Sequence, residues 1–204
     1  QYGNMDEYGK SASENPMLIE TSAPYAWNKL VKWDLLKRSG VQFPKGYIYE
    51  DIPTMYLLIA MANRVSKVDE QLYYYIVERK DSITASFTKS KVLIMKSLDL
   101  FNQRFKDAGL FDEFRDRLVV ITLRHTYFRF IEFDRFDDRK MKKKLVKEGF
   151  GVLNKYFPDW KKNSGTYQRF GLPLDRNVKR WFYKRKAYWW CVARMPYTWV
   201  VKFK

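Results

Sequence analysis

The chain has 204 residues, 46% of them hydrophobic and 18% aromatic, which is enough to bury a sizeable core, and its single cysteine excludes an intrachain disulfide or a cysteine-based zinc site. The formal net charge of +16 is concentrated: residues 140–204 carry 18 Lys and Arg against three acidic residues, whereas the first 139 carry 21 against 20. That asymmetry points to a polyanionic partner, either nucleic acid or an anionic membrane surface, while the longest apolar run, Met55 to Ala62, falls far short of the roughly 20 residues that span a bilayer.

A soluble or peripheral protein of a reducing compartment is therefore expected, and a chain that begins with Gln1 reads as a piece of something longer. Residues 1–16 are polar and aperiodic and read as a loop or mobile end. Met17-Leu18-Ile19 reads as a short buried strand that Pro24 closes off, and Tyr25 to Val31 as strand or extended loop. A short helix follows at Trp33 to Arg38, with Gly40 as its stop, and Pro44 and Gly46 make a turn. Asp51 is a suitable N-cap and Pro53 suits a first turn, so a helix runs from Ile52 to Val65 with an apolar face. Lys67 to Val77 is aromatic and β-branched enough to be a strand, after which Asp81-Ser82 opens a turn.

From Ser86 the period becomes helical. One stripe runs through Phe87, Ile94, Leu98, Phe101 and Phe105, and a second through Phe111, Phe114, Leu118, Ile121, His125 and Phe128. A third runs through Met141, Leu145, Val152, Leu153 and Tyr156. Gly109 separates the first two, Asp137-Asp138 precedes the third, and Phe157-Pro158-Asp159-Trp160 ends it. His125, the lone histidine, sits on an apolar stripe and reads as a satisfied core residue; it gives a poor basis for a His-Cys or His-Ser pair.

The last segment is a basic, aromatic amphipathic helix across Val178 to Val192. Lys179, Arg180, Lys184 and Lys186 would face anionic lipid while Trp181, Trp189 and Trp190 sit in the headgroup zone. The plainer reading is that its rings pack on the helical layer and its lysines form a solvated face. The same composition would let rings stack on bases and cations contact phosphate, but no RNP-like phrase or helix-turn-helix pattern supports nucleic acid.

Five short phrases in order carry a resemblance: Trp27-Asn28-Lys29-Leu30, Phe43-Pro44-x-Gly46, Tyr49-Glu50-Asp51, Leu72-Tyr73-Tyr74-Tyr75 and Ser82-Ile83-Thr84. Over residues 17–85 the chain resembles the second, acceptor-side half of bacterial family 2 GT-A glycosyltransferases, enzymes of capsule, teichoic acid and exopolysaccharide synthesis. A weaker likeness continues through Tyr156 to Asn163. The resemblance implies an α/β fragment, part of a GT-A sheet, in residues 1–85, followed by a mostly helical extension over 86–160 and a basic aromatic tail over 161–204.

It also implies a chemistry. Asp51, with Glu50 beside it, matches the general base that takes a proton from an acceptor hydroxyl as the hydroxyl attacks the anomeric carbon of a nucleotide sugar, with inversion. A helix N-terminus would hold such a carboxylate ionised. Trp27 would offer an aromatic wall, Asn28 and Lys29 the floor between donor and acceptor, and Arg79 or Lys80, near Ser82, positive charge toward the leaving diphosphate. Taken alone, however, a Glu-Asp pair before a helix is a cap, Trp27 is core, and Tyr73 to Tyr75 are strand packing.

The sequence departs from that family in having no Asp-x-Asp and no Gly-rich phosphate loop. No cofactor or metal is thus expected in this chain; a divalent cation, Mg or Mn, with the nucleotide sugar belongs to the full enzyme, and the chain alone should be inactive. The expected partners are the nucleotide-sugar donor, a glycan or lipid-linked acceptor, the anionic inner face of the cell membrane on its cytoplasmic side, and a second copy through surface left bare. A non-catalytic membrane-docking or scaffold module, in which Glu50-Asp51 only caps a helix, is the alternative, as is a nucleic-acid-binding module.

Overall fold

A computed structural model describes residues 8–76, 93–134 and 139–160. The chain divides into two compact units, Gln1–Arg117 and Leu118–Lys204. Among the described residues the architecture is helical: α1 (Met17–Thr21), a 3-10 turn (Ala26–Asn28), α2 (Trp33–Ser39), α3 (Ile52–Met61), α4 (Ile94–Asp107), α5 (Phe111–Asp134) and α6 (Arg139–Tyr156). The division between the units falls within α5.

The expected α/β sheet fragment is corrected: no strand occurs among the described residues, and the one β-like pairing there is an isolated antiparallel bridge between Lys10 and Val65. Met17-Leu18-Ile19 begins a helix instead of forming a strand. Pro16 stands before it in the helical region, the Asn15 side chain accepts from the Met17 amide at 3.2 Å, and the Thr21 hydroxyl donates to the Met17 carbonyl at 2.8 Å. These local bonds settle a run too short for its own period to decide. The described part of Lys67–Val77, up to Ile76, forms no ladder and is exposed from Val68 onward. β-propensity registers fit to a neighbouring strand, and with no ladder partner it produces no strand.

In the first unit α3 is the centre. Ile52 to Ala60 are all buried, so this helix is enclosed on every side, and it packs with α1, α2 and α4. The α3–α4 contact is aromatic: Tyr56 lies 5.4 Å from Phe101, Phe101 meets Phe105 edge-on at 5.2 Å, and Phe105 meets Phe114 edge-on at 6.3 Å. Such offset and edge-to-face pairs add to the stabilisation from burying the rings. Glu20 of α1, buried, pairs with Arg117 at 3.1 Å, and a buried carboxylate requires such a partner.

Stops are local. Gly40 (φ 62°) ends α2 in the left-handed conformation that costs glycine least, and Gly109 (φ 70°) follows α4 in the same way. The α3 helix stops at Met61, short of the expected Val65, where Ala62 turns extended and Val65 is engaged by Lys10. Val65 donates to the Lys10 carbonyl at 2.8 Å and accepts from the Gly9 amide at 2.7 Å.

The second unit buries Leu118 to Ile121 and Leu123 of α5, and Leu145, Val146, Phe150, Val152 and Leu153 of α6. Trp160, beyond α6, is buried against Phe150 at 5.7 Å and donates its indole N–H to Asn154 at 3.0 Å. His125 stays neutral: burial, reinforced by Arg129 and Arg124, pushes it down to about 3. The half-buried imidazole therefore suits a neutral packing group better than a proton carrier near neutrality.

Candidate functional site

The first turn of α3 is where the chemistry gathers. The backbone enters it through a strained corner: Tyr49 has φ 63°, the only non-glycine residue in the left-handed region among the described residues. A bulky residue there costs on the order of 1–2 kcal/mol and persists only where its surroundings hold it. Tyr49 accepts from the Ile52 amide at 3.2 Å, Asp51 accepts from the Met55 amide at 2.7 Å, and the Thr54 hydroxyl donates back to the Glu50 carbonyl at 2.7 Å.

Asp51 stands at the N-cap position but makes no side-chain capping hydrogen bond. Its carboxyl is pushed up to about 6, by burial first and by the neighbouring Glu50 charge second; the amides of Ile52 and Asp51 and the charge of Lys29 act in the other direction and lose. Desolvation thus outweighs the amides of the helix start, and the carboxyl is still mostly ionised at pH 7. Glu50 itself is exposed.

Lys29 is the second charged group. Its ammonium donates to the carbonyls of Ala23 and Tyr25, the latter at 3.2 Å, and to Asn28 Oδ1 at 2.7 Å. Three donors meet three acceptors, so the side chain knits the 3-10 turn that carries Trp27. Burial lowers Lys29 to about 8, and Asp51 opposes that shift. Asn28 and Lys29 thus have polar atoms turned on each other and on the local backbone.

Trp27 is half-exposed rather than core, at 41%. It is stacked on three tyrosines: Tyr25 at 5.3 Å, Tyr73 at 5.0 Å and Tyr75 at 5.2 Å, all within 28° of parallel. The aromatic wall is therefore a composite of four rings, and the indole is occupied by tyrosine. Tyr25, Tyr73 and Tyr75 were legible as aromatic residues but not as partners of Trp27; the alternation that sends Tyr73 and Tyr75 to one side and Tyr74 to the other was the available signal.

The structure thus brings together Trp27, Asn28 and Lys29, and puts Lys29 within electrostatic reach of Asp51. Arg79, Lys80 and Ser82 lie outside the described residues, as do Lys179, Arg180, Trp181, Lys184, Lys186, Trp189 and Trp190 of the tail. No three of His, Cys, Asp and Glu gather among the described residues, and Glu50-Asp51 with a lysine alongside is a poor donor set for a divalent cation. No helix among the described residues is long and apolar enough to cross a membrane. Comparison with family models, with curated proteins and with solved structures finds no match.

Proposed function

We propose that the chain is the acceptor-side portion of an inverting, nucleotide-sugar-dependent glycosyltransferase that builds a cell-surface glycan, with Asp51 as its general base. The observation that carries this reading is the placing of Asp51: a half-buried carboxyl raised to about 6 at the entrance of a buried helix, with Lys29 in electrostatic reach. A base with a pKa just below neutrality is ionised at pH 7 and still basic enough to draw a proton from a hydroxyl. Glu50 contributes by raising that basicity through its own charge.

In this reading the acceptor sugar lies against the Tyr25-Trp27-Tyr73-Tyr75 cluster, whose flat apolar faces suit the C–H face of a pyranose, and presents its hydroxyl to Asp51. The hydroxyl oxygen then bonds to the anomeric carbon from the side opposite the departing nucleotide diphosphate, and its proton passes to Asp51. In this reading donor binding and any divalent cation fall to the donor-side half of the enzyme; among the described residues no three metal-ligating side chains gather. The basic C-terminal third of the sequence supports attachment to the anionic cytoplasmic face of the membrane, where a lipid-linked acceptor would be met.

The test is Asp51→Asn in the full protein. Loss of about 10²–10⁴ in sugar transfer from a nucleotide-sugar donor, with folding intact, is expected for a missing general base. Transfer at the unaltered rate would leave Glu50-Asp51 as a helix entrance and move the chain to the non-catalytic docking reading.

A further inference from the structure

Helix α4 reaches across to the Glu50-Asp51 corner through two side chains on one face. Ser97 and Arg104 are seven residues apart, two turns of helix, so both point the same way. The Ser97 hydroxyl donates to the Ile48 carbonyl at 2.6 Å. The Arg104 guanidinium forks: Nη2 donates to the Gln42 carbonyl at 2.7 Å, and Nη1 to the Pro53 carbonyl at 3.1 Å and the Thr54 hydroxyl at 3.3 Å. The Thr54 hydroxyl in turn donates to the Glu50 carbonyl. The left-handed Tyr49 therefore has a tethered carbonyl on each side, at Ile48 and at Glu50, and both tethers lead to α4.

We propose that Arg104 is a positioning residue for Asp51, acting through Thr54 and seconded by Ser97 to hold the strained Tyr49–Glu50 corner in the one conformation that sets the carboxylate half-buried at the α3 entrance. Several features separate this from ordinary packing. Three acceptors from one loop and one helix start converge on a single planar fork, a geometry that lysine cannot reproduce. The corner so held contains the one backbone conformation among the described residues that a side-chain-bearing residue resists. Arg104 does not act on Asp51 through its charge, because the cation that Asp51 senses is Lys29. The effect is mechanical, carried by hydrogen bonds. The inference rests on the reading of Asp51 as the base, and its test has a separate readout.

That readout is the titration of the Asp51 carboxyl carbon by NMR in the 204-residue chain, assigned with Asp51→Asn. In Arg104→Lys and in Thr54→Val the corner opens, the carboxyl hydrates, and its midpoint should fall by about one pH unit or more toward the ordinary carboxylate value. Thr54→Ser keeps the hydroxyl and should keep the midpoint. Circular dichroism confirms that each variant is folded. If Thr54→Val does not fold, Arg104→Lys and Ser97→Ala carry the test, the latter with a smaller fall. An unmoved midpoint in the folded variants overturns the positioning role and leaves the base assignment standing. A fall in Thr54→Ser equal to that in Thr54→Val also overturns it, since packing would then be the cause. Conversely, unimpaired transfer by Asp51→Asn would defeat the base reading without touching the titration result.

Discussion

Ile52–Ala60 and Leu72–Ile76 are both runs of apolar and aromatic side chains, yet the first is buried throughout and the second is bare: Leu72, Tyr74 and Ile76 are 70%, 89% and 75% exposed. The difference lies in where each finds partners for its backbone. The α3 segment satisfies its own amides within the helix, so apolar neighbours can enclose it on all sides. The extended 72–76 segment has no ladder among the described residues, and enclosing it would strand those polar groups. It compromises by laying Tyr73 and Tyr75 on Trp27 and leaving the alternate side chains outward. Hydrophobicity supplies the drive to bury, and backbone pairing decides which segments are able to respond.

The largest expected effect tests the buried side of that contrast. Phe101→Ala removes a ring that touches both Tyr56 and Phe105 and should cost about 3–5 kcal/mol in denaturant unfolding, whereas Tyr74→Ala should stay within about 0.5 kcal/mol. Equal losses would break the comparison. Next comes Asp51, at the seam where the buried helix meets its exposed approach. Its folded pKa of about 6 lies above an unfolded value near 4, so the folded state holds the proton more tightly. This residue therefore favours folding most at low pH; its contribution falls as pH rises from about 4 to about 6 and is level above that. Asp51→Asn should raise stability at pH 7 by about 1–2 kcal/mol, after allowance for partial solvent exposure, and flatten that stretch of the stability–pH curve. On the proposed reading of Asp51 as the base, the same group predicts a rate that rises through about pH 6 and falls as Lys29, near pH 8, loses its charge and one of its three donors to the Trp27 turn.

A smaller effect belongs to the ring cluster. Tyr73→Ala should cost about 0.5–1.5 kcal/mol and shift tryptophan emission, because one ring stacked on Trp27 is lost. A change no larger than that of Tyr74→Ala would mean that the stacking is incidental. Smallest in stability is the outward face: Leu72→Ser with Tyr74→Ser should leave unfolding within about 0.5 kcal/mol while lowering any self-association seen in a sedimentation concentration series.

Much of the helical part was legible. The stripe Ile94, Leu98, Phe101 and Phe105 is buried as its period required, Gly40 ends α2 and Gly109 follows α4. These features are local, and a single sequence displays local features. Met17-Leu18-Ile19 was misread because three apolar residues have no period, and Lys67–Val77 because propensity does not reveal whether a neighbouring strand exists. Within the site, the Glu50-Asp51 corner and Lys29 were legible as residues. The Tyr25-Trp27-Tyr73 stack and the reach of Arg104 to Gln42, 62 positions away, are products of the tertiary fold: alternation sorts Tyr73 from Tyr74 but does not name Trp27 as its partner, and nothing in the spacing points from Arg104 to Gln42.

The backbone of Tyr49 also bears on which sequence changes the chain tolerates. At most positions glycine is a worse replacement than alanine, since it brings extra freedom to the unfolded chain and no side chain to the folded one. At position 49 the order reverses: with φ at 63°, Tyr49→Gly should be more stable than Tyr49→Ala by about 1 kcal/mol, and a β-branched residue should fare worst of all. A lineage drifting by single substitutions would thus find glycine and asparagine the open exits from this tyrosine, and valine and isoleucine closed ones.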